Sequence, residues 1–278
     1  MEVYFETDKE AQAFGNQLIP YRNQISVHQQ TNTWSSRLIL EGHISKVELI
    51  HIISSVMTNV LIEEHLSDMI IRKITDCYYF SDPDEINRIY DFSMDILFEK
   101  DEDNQSLREH VDTIQLLQHL FFQQLKEHTS IHFSAILRFR LESFLQFVHA
   151  CVGKAIEEFK REEDHQAFMD ALRHYIEKKE PCVDLVHIEQ GENFTFYNDK
   201  GETISKDMLR MWMFQAPLYA LGLHDNEFNL SPLIAMAPAK IKVYGNNPAD
   251  PKTMTIINIF HERVVFERKG NSILSRGE

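Results

Sequence analysis

Phe133-Ser-Ala-Ile-Leu-Arg-Phe-Arg-Leu141, read on as far as Pro181, decides the fold. Apolar residues recur at Phe133, Leu137, Leu141, Phe144, Val148, Val152, Ala155 and Phe159, in the steps of three and four that make one seam of a helix. The spacing predicts a single helix of about seven turns. Ile136, Phe139, Phe147, Cys151 and Ile156 form a second apolar line, which widens the face until the helix must be covered on more than one side. After Lys160-Arg-Glu-Glu-Asp164 a second helix is expected, capped by Asp164, burying Phe168, Leu172 and Ile176 (or Tyr175) and stopped at Glu180-Pro181. The two would make a central helical hairpin.

Toward the N-terminus, Glu2 to Phe5 alternates as a short strand, and Thr7 or Asp8 caps a helix carrying Ala11, Phe14, Leu18 and Ile19 and ending near Pro20. Ile25 to Gln29 and Arg37 to Ile44 read as two strands joined by a polar turn through Gln30 to Trp34. Ser45 with Glu48 three residues later is a capping box, opening a helix with Val47, Ile50, Ile53, Met57, Leu61 and then Ile70 or Ile71 on one face. Pro83 sits at the first turn of the next helix, which holds Ile86, Ile89, Tyr90, Ser93, Met94 and Leu97. The acidic stretch Glu99 to Asn104, on through Glu109 and Asp112, suits an exposed connection, and Ile114, Leu117, Leu120, Phe121 and Leu125 form another amphipathic helix.

Beyond Pro181 the period shortens to two. Val183, Leu185, Val186 and Ile188 form one strand and Phe194 and Phe196 begin another. Tyr197-Asn-Asp-Lys-Gly-Glu202 supplies turn residues, so a hairpin or meander is expected. Ser205 and Asp207 introduce a helix over Met208 to Phe214, and a helical piece from Ser231 ends before Pro238. Lys240 to Tyr244 is a strand, Asn247-Pro-Ala-Asp-Pro251 opens a helix through Phe260, and Val264 to Phe266 is a strand, which together predict a parallel, right-handed crossover.

Five segments resemble the YtxC-like family of spore-forming bacteria: Leu137-Arg-Phe-Arg-Leu141, Phe168 to Tyr175, Glu180-Pro-Cys-Val-Asp-Leu-Val-His187, Leu233-Ile-Ala-Met-Ala-Pro-Ala-Lys-Ile241 and Thr255-Ile-Ile-Asn-Ile-Phe-His-Glu-Arg-Val264. The resemblance implies an association with sporulation and names no catalytic residue. Some members carry cysteines just after the last strand, where this chain reads Phe266-Glu-Arg-Lys-Gly270, so no metal or redox role carries over.

At 278 residues the chain can bury about three-quarters of its unfolded surface without staples. Cys77, Cys151 and Cys182 have no CxxC spacing and read as buried free thiols in a reducing cytoplasm. The first residues, Met1-Glu-Val-Tyr-Phe-Glu, have neither a basic region nor an apolar run and are not expected to act as a secretory signal. Val47 to Ile62 contains Glu48, His51 and Asn59, which argues against membrane insertion. A net charge of −15 argues against nucleic acid as partner and suits a protein partner instead.

Several spacings suggest chemistry but also fit plainer roles. His128 and His132 are spaced four apart beside Glu127, a metal-ligand interval, but Thr129 and Ser130 favour a helix break and two further ligands are missing. Glu48 with His51 and Glu162 with His165 repeat the Glu-x-x-His unit of di-iron bundles, yet the second lies in a solvated charge run. Ser54, Ser55 and Ser231 lack a nucleophile-elbow context. Arg138 and Arg140 flank Phe139 and would pair with Glu142 or Asp184 or meet an anion. Asn246 and Asn247 precede a helix N-terminus that could do the same.

The fold expected is α+β: residues 1–100 an N-terminal α/β lobe, 101–180 a helical middle, and 181–278 a C-terminal mixed lobe. The function expected is that of a cytoplasmic, sporulation-associated factor that works through protein contacts and is not an enzyme. The competing class is an enzyme or small-ligand sensor with an anion pocket between the helical hairpin and the C-terminal crossover. No catalytic residue, metal or cofactor is assigned. The ligand-binding candidates are Arg138, Arg140, Asp184, Lys240, Asn246 and Asn247; the sequence leaves the oligomeric state open.

Overall fold

The computed structural model describes residues 1–32, 35–98, 112–224 and 227–268. Trp34, the acidic stretch from Glu99 to Glu109 and the tail from Asn271 lie outside them. The chain divides into two compact units, Met1–Lys160 and Arg161–Glu278, each with its own hydrophobic core. The α+β class holds, with a four-stranded sheet in each unit.

In the first unit, β1 (Glu2–Phe5), β2 (Ile25–Asn32), β3 (Ser35–Gly42) and β4 (Ser130–His132) lie in the order β2-β3-β1-β4, antiparallel except where β4 joins β1 in parallel. Val3, Phe5, Ile25, Leu38, Leu40 and Ile131 point to the core face, as period-two alternation requires. They meet α1 (Asp8–Leu18) and α2 (Lys46–Glu64), followed by α3 (Leu66–Arg72), α4 (Pro83–Phe98) and α5 (Thr113–Glu127). Phe5 packs on Phe14 and Phe133 at centroid distances of 5.1 and 5.4 Å, and Phe133 stacks on Phe121 at 6.0 Å.

Local chemistry starts these helices. The Thr7 hydroxyl accepts from the Glu10 amide and the Glu10 carboxylate accepts from the Thr7 amide, and Ser45 and Glu48 repeat the box at α2. The face expected to run on to Ile70 is interrupted at His65, where φ −128° ends α2; its Nε2 lies 2.8 Å from the buried Glu10 carboxylate. Val47, assigned to that face, is exposed.

Two expectations for the central stretch are corrected. Phe133 to Phe159 is not one helix: α6 (Phe133–Phe139) stops at Arg140, and α7 (Glu142–Lys178) begins after Leu141. The break resets the phase, so Leu141 is buried while Phe139 faces solvent. Conversely, Lys160-Arg-Glu-Glu-Asp164 does not end a helix, because Lys, Arg and Glu are good helix formers and their charges stay solvated on the surface. There is accordingly no central hairpin, and none to line an anion pocket.

In the second unit the C-terminal part of α7 contributes Met169, Leu172 and Ile176 to the core. The strands β5 (Leu185–Glu189), β6 (Thr195–Tyr197), β7 (Lys240–Gly245) and β8 (Val264–Arg268) lie in the order β6-β5-β7-β8. β5 and β6 form the expected antiparallel hairpin, and β7 runs parallel to both β5 and β8. α8 (Lys206–Gln215) and α9 (Ser231–Met236) lie between β6 and β7, and α10 (Pro251–Phe260) makes the β7-to-β8 crossover. Of the three cysteines Cys151 alone is buried; Cys77 and Cys182 are exposed thiols, because each falls at the ragged end of a helical or extended run instead of on its apolar face.

Candidate functional site

The residues singled out from the sequence are divided between the two units. Arg138 and Arg140 belong to the first unit and the other four to the second. The Asp184 carbonyl accepts from the Lys240 amide at 3.0 Å, at the start of β5 and β7. Asn246 and Asn247 follow the far end of β7, about 20 Å along a six-residue strand. Arg138 pairs with Glu6 at 2.9 Å, neither with Glu142 nor with Asp184. Arg140 is exposed.

At Asn247 the N-terminus of α10 is engaged by the chain itself. Asp250 caps it, accepting from the Thr253 amide at 3.1 Å. The Gln190 carboxamide donates to the Asn247 carbonyl and the Thr253 hydroxyl at 2.7 and 2.6 Å and accepts from the Asn247 amide at 3.3 Å. The positions an anion would take are held by a carboxylate and an amide of the protein.

The sheet face opposite this unit's core carries paired polar groups. His187 Nδ1 lies 3.1 Å from the Tyr244 hydroxyl with the rings stacked, the Tyr197 hydroxyl donates to Glu189 at 2.9 Å, and Lys242 faces Glu267 at 3.5 Å. Burial, and then the Lys242 charge, hold the His187 imidazole below its ordinary value. Burial pushes the Tyr244 phenol up, and burial with the Glu189 bond pushes Tyr197 up to about 12. The layer is therefore a neutral imidazole and two protonated phenols at physiological pH, each committed to a neighbour.

The other motifs take structural work. Glu48 closes its capping box, and His51 packs on the Phe122 ring at 4.5 Å. His128 is the non-helical cap of α5 and His132 stacks on Tyr4 at 4.6 Å, so the four-residue interval does not put them on one helix face. Ser54 and Ser231 donate to the backbone carbonyls of His51 and His224, not to an imidazole. Among the described residues no three His, Cys, Asp or Glu side chains are grouped to hold a metal ion, and no helix is long and apolar enough to cross a membrane.

One surface stands out on physical grounds. The Ser205 hydroxyl accepts from the Met208 amide and starts α8, whose Leu209, Trp212 and Met213 pack into the core. At 100° per residue Met208, Met211 and Phe214 fall on the opposite side, exposed, Met211 by 62% and Phe214 by 95%. Tyr219, just beyond, is 91% exposed. Arg210 lies over the Phe228 ring at 5.5 Å and 3.6 Å from Asp207, which frames the stripe with charge. A surface helix packed on a core normally has one apolar face; α8 has two. The signal was present in Met208-Leu-Arg-Met-Trp-Met-Phe214, where Arg210 is the one polar residue in seven, but a run apolar all round does not say which side the core takes.

The YtxC-like family model matches residues 51–265. The chain is 25% identical over 284 residues to a Bacillus subtilis (strain 168) protein described as "Uncharacterized protein YtxC", with 95% of this chain and 92% of that protein covered. No solved structure matches.

Proposed function

Given that the chain belongs to the YtxC-like family, we propose that it is a non-enzymatic protein-interaction factor of the sporulating cell, acting in the cytoplasm through a partner docked on the outer face of α8. The observation that supports this reading is the second apolar face of that helix. Met208, Met211, Phe214 and Tyr219 leave large side chains in water, and covering each fully is worth about 1.5–3 kcal/mol. Methionine and aromatic side chains are the types that adapt to and anchor a partner surface. The pairing of His187, Tyr197 and Lys242 within the sheet supports the non-enzymatic part.

The test is a photo-crosslinking amino acid at position 211, in cells taken through sporulation, with the same label at the exposed position 41 of the first unit as control. One protein captured in stoichiometric amount at 211 but not at 41, and lost on Phe214→Asp, is the expected result. Capture that is equal at both positions, or none at any stage, overturns the reading.

A further inference from the structure

The first unit contains a hollow of about 510 Å³ between β4 and α6, with the end of α5 as its third wall. We propose that this hollow binds a carboxylate carried on a short apolar body. It lies in the other unit from α8 and does not depend on the docking face there.

β4 is the last strand of its sheet, and its pairing fixes which backbone groups are left over. The Glu2 amide donates to the Thr129 carbonyl at 2.9 Å, so Thr129 and Ile131 turn their backbone groups toward β1. Along a strand these directions alternate, so Ser130 turns its backbone groups away from β1, while His132, the N-cap of α6, gives its carbonyl to that helix; both residues line the hollow. Arg140, the C-cap residue at which α6 stops, lines the same hollow as His128 and His132.

The charge of the lining is opposite to that of the chain. Arg140, His128 and His132 are its ionisable side chains, and none of the described residues lining it is Asp or Glu, in a protein with 43 acids and 28 Lys and Arg. The neighbouring arginines are already neutralised, Arg138 by Glu6 and Arg37 by Glu2, while Arg140 makes no ion pair among the described residues. A guanidinium offers two parallel donors to a planar carboxylate. Of the rest of the lining Gln124 and Ser130 are polar, while Ile131, Ala135, Ile136 and Phe139, the last 76% exposed, are apolar and supply hydrocarbon beside the charged residues. The volume falls in the range of sites that hold small organic ligands, about 300–1,000 Å³. Two sources carry this chemistry: a free short-chain acid, or the C-terminus of an extended peptide aligned with β4.

The experiment uses the whole chain labelled at arginine Nε. The probes are 4-phenylbutyrate and its amide, and acetyl-Val-Thr-Val-Phe with a free or an amidated C-terminus. The acid forms are expected to shift the Arg140 signal and to bind about ten-fold more tightly than the amides, and Arg140→Gln to remove that preference while leaving the melting temperature unchanged. Tighter binding of the peptide acid assigns the site to a peptide end, and equal or tighter binding of phenylbutyrate assigns it to a free acid. Acids and amides binding alike, no shift at Arg140 up to millimolar probe, or an unaltered preference in Arg140→Gln overturns the proposal.

Discussion

The Gln190 side chain lies across the α-carbon of Gly245, where a β-carbon would occupy the position of its carboxamide. Gly245 ends β7, and Gln190, just past β5, uses the vacant space to reach Asn247 and Thr253 at the start of α10. Gly245→Ala is therefore expected to expel the carboxamide and cost about 1–3 kcal/mol. Gln190→Ala alone removes the same bonds, so in the double variant the two losses should not add. A double-mutant cycle by urea unfolding checks this, and full additivity would refute the relationship.

His187 supplies a pH dependence whose sign follows from its buried site. Its folded value is depressed below the unfolded one near 6.5, so the unfolded chain binds the proton more readily. Stability is full above about pH 6.5 and falls as the pH drops through 6.5 toward the lower folded value. His187→Gln should flatten the profile between pH 7 and 5. Melting temperatures of both proteins across that window are the measurement, and parallel curves would remove His187 as the cause.

The continuity of α7 gives a third expectation. Proline at Glu163 falls in the interior of a 37-residue helix and should cost about 3 kcal/mol or more, through the lost backbone bond and the clash with the preceding turn. Had the charged stretch been a joint between two helices, the same change would be nearly neutral. Circular dichroism and chemical denaturation of Glu163→Pro distinguish the two.

The two faces of α8 should respond in opposite ways. Phe214→Asp and Met211→Lys alter exposed side chains and should change stability by no more than about 0.5 kcal/mol. Leu209→Ala empties a buried position and should cost about 2–5 kcal/mol. Denaturant midpoints for the three variants are the readout; a large loss in Phe214→Asp would mean that the outer face is packed within the free protein.

The sequence by itself determined where most elements begin and turn. Thr7, Ser45, Ser205 and Asp250 cap the helices expected of them, Pro83 opens α4, and the β5–β6 hairpin and the β7–α10–β8 crossover lie where alternation and helical spacing place them. A cap or turn is satisfied by atoms within about four residues, so its chemistry is complete in the local sequence. Only the tertiary structure decided the break at Arg140, the unbroken α7, the three-residue strand β4, the union of His128, His132 and Arg140 around one hollow, and the outer side of α8. Each depends on which partner arrives across the fold: a strand three residues long shows no period, a helix apolar all round has no preferred side, and a break without Pro or Gly is set by what Leu141 can bury.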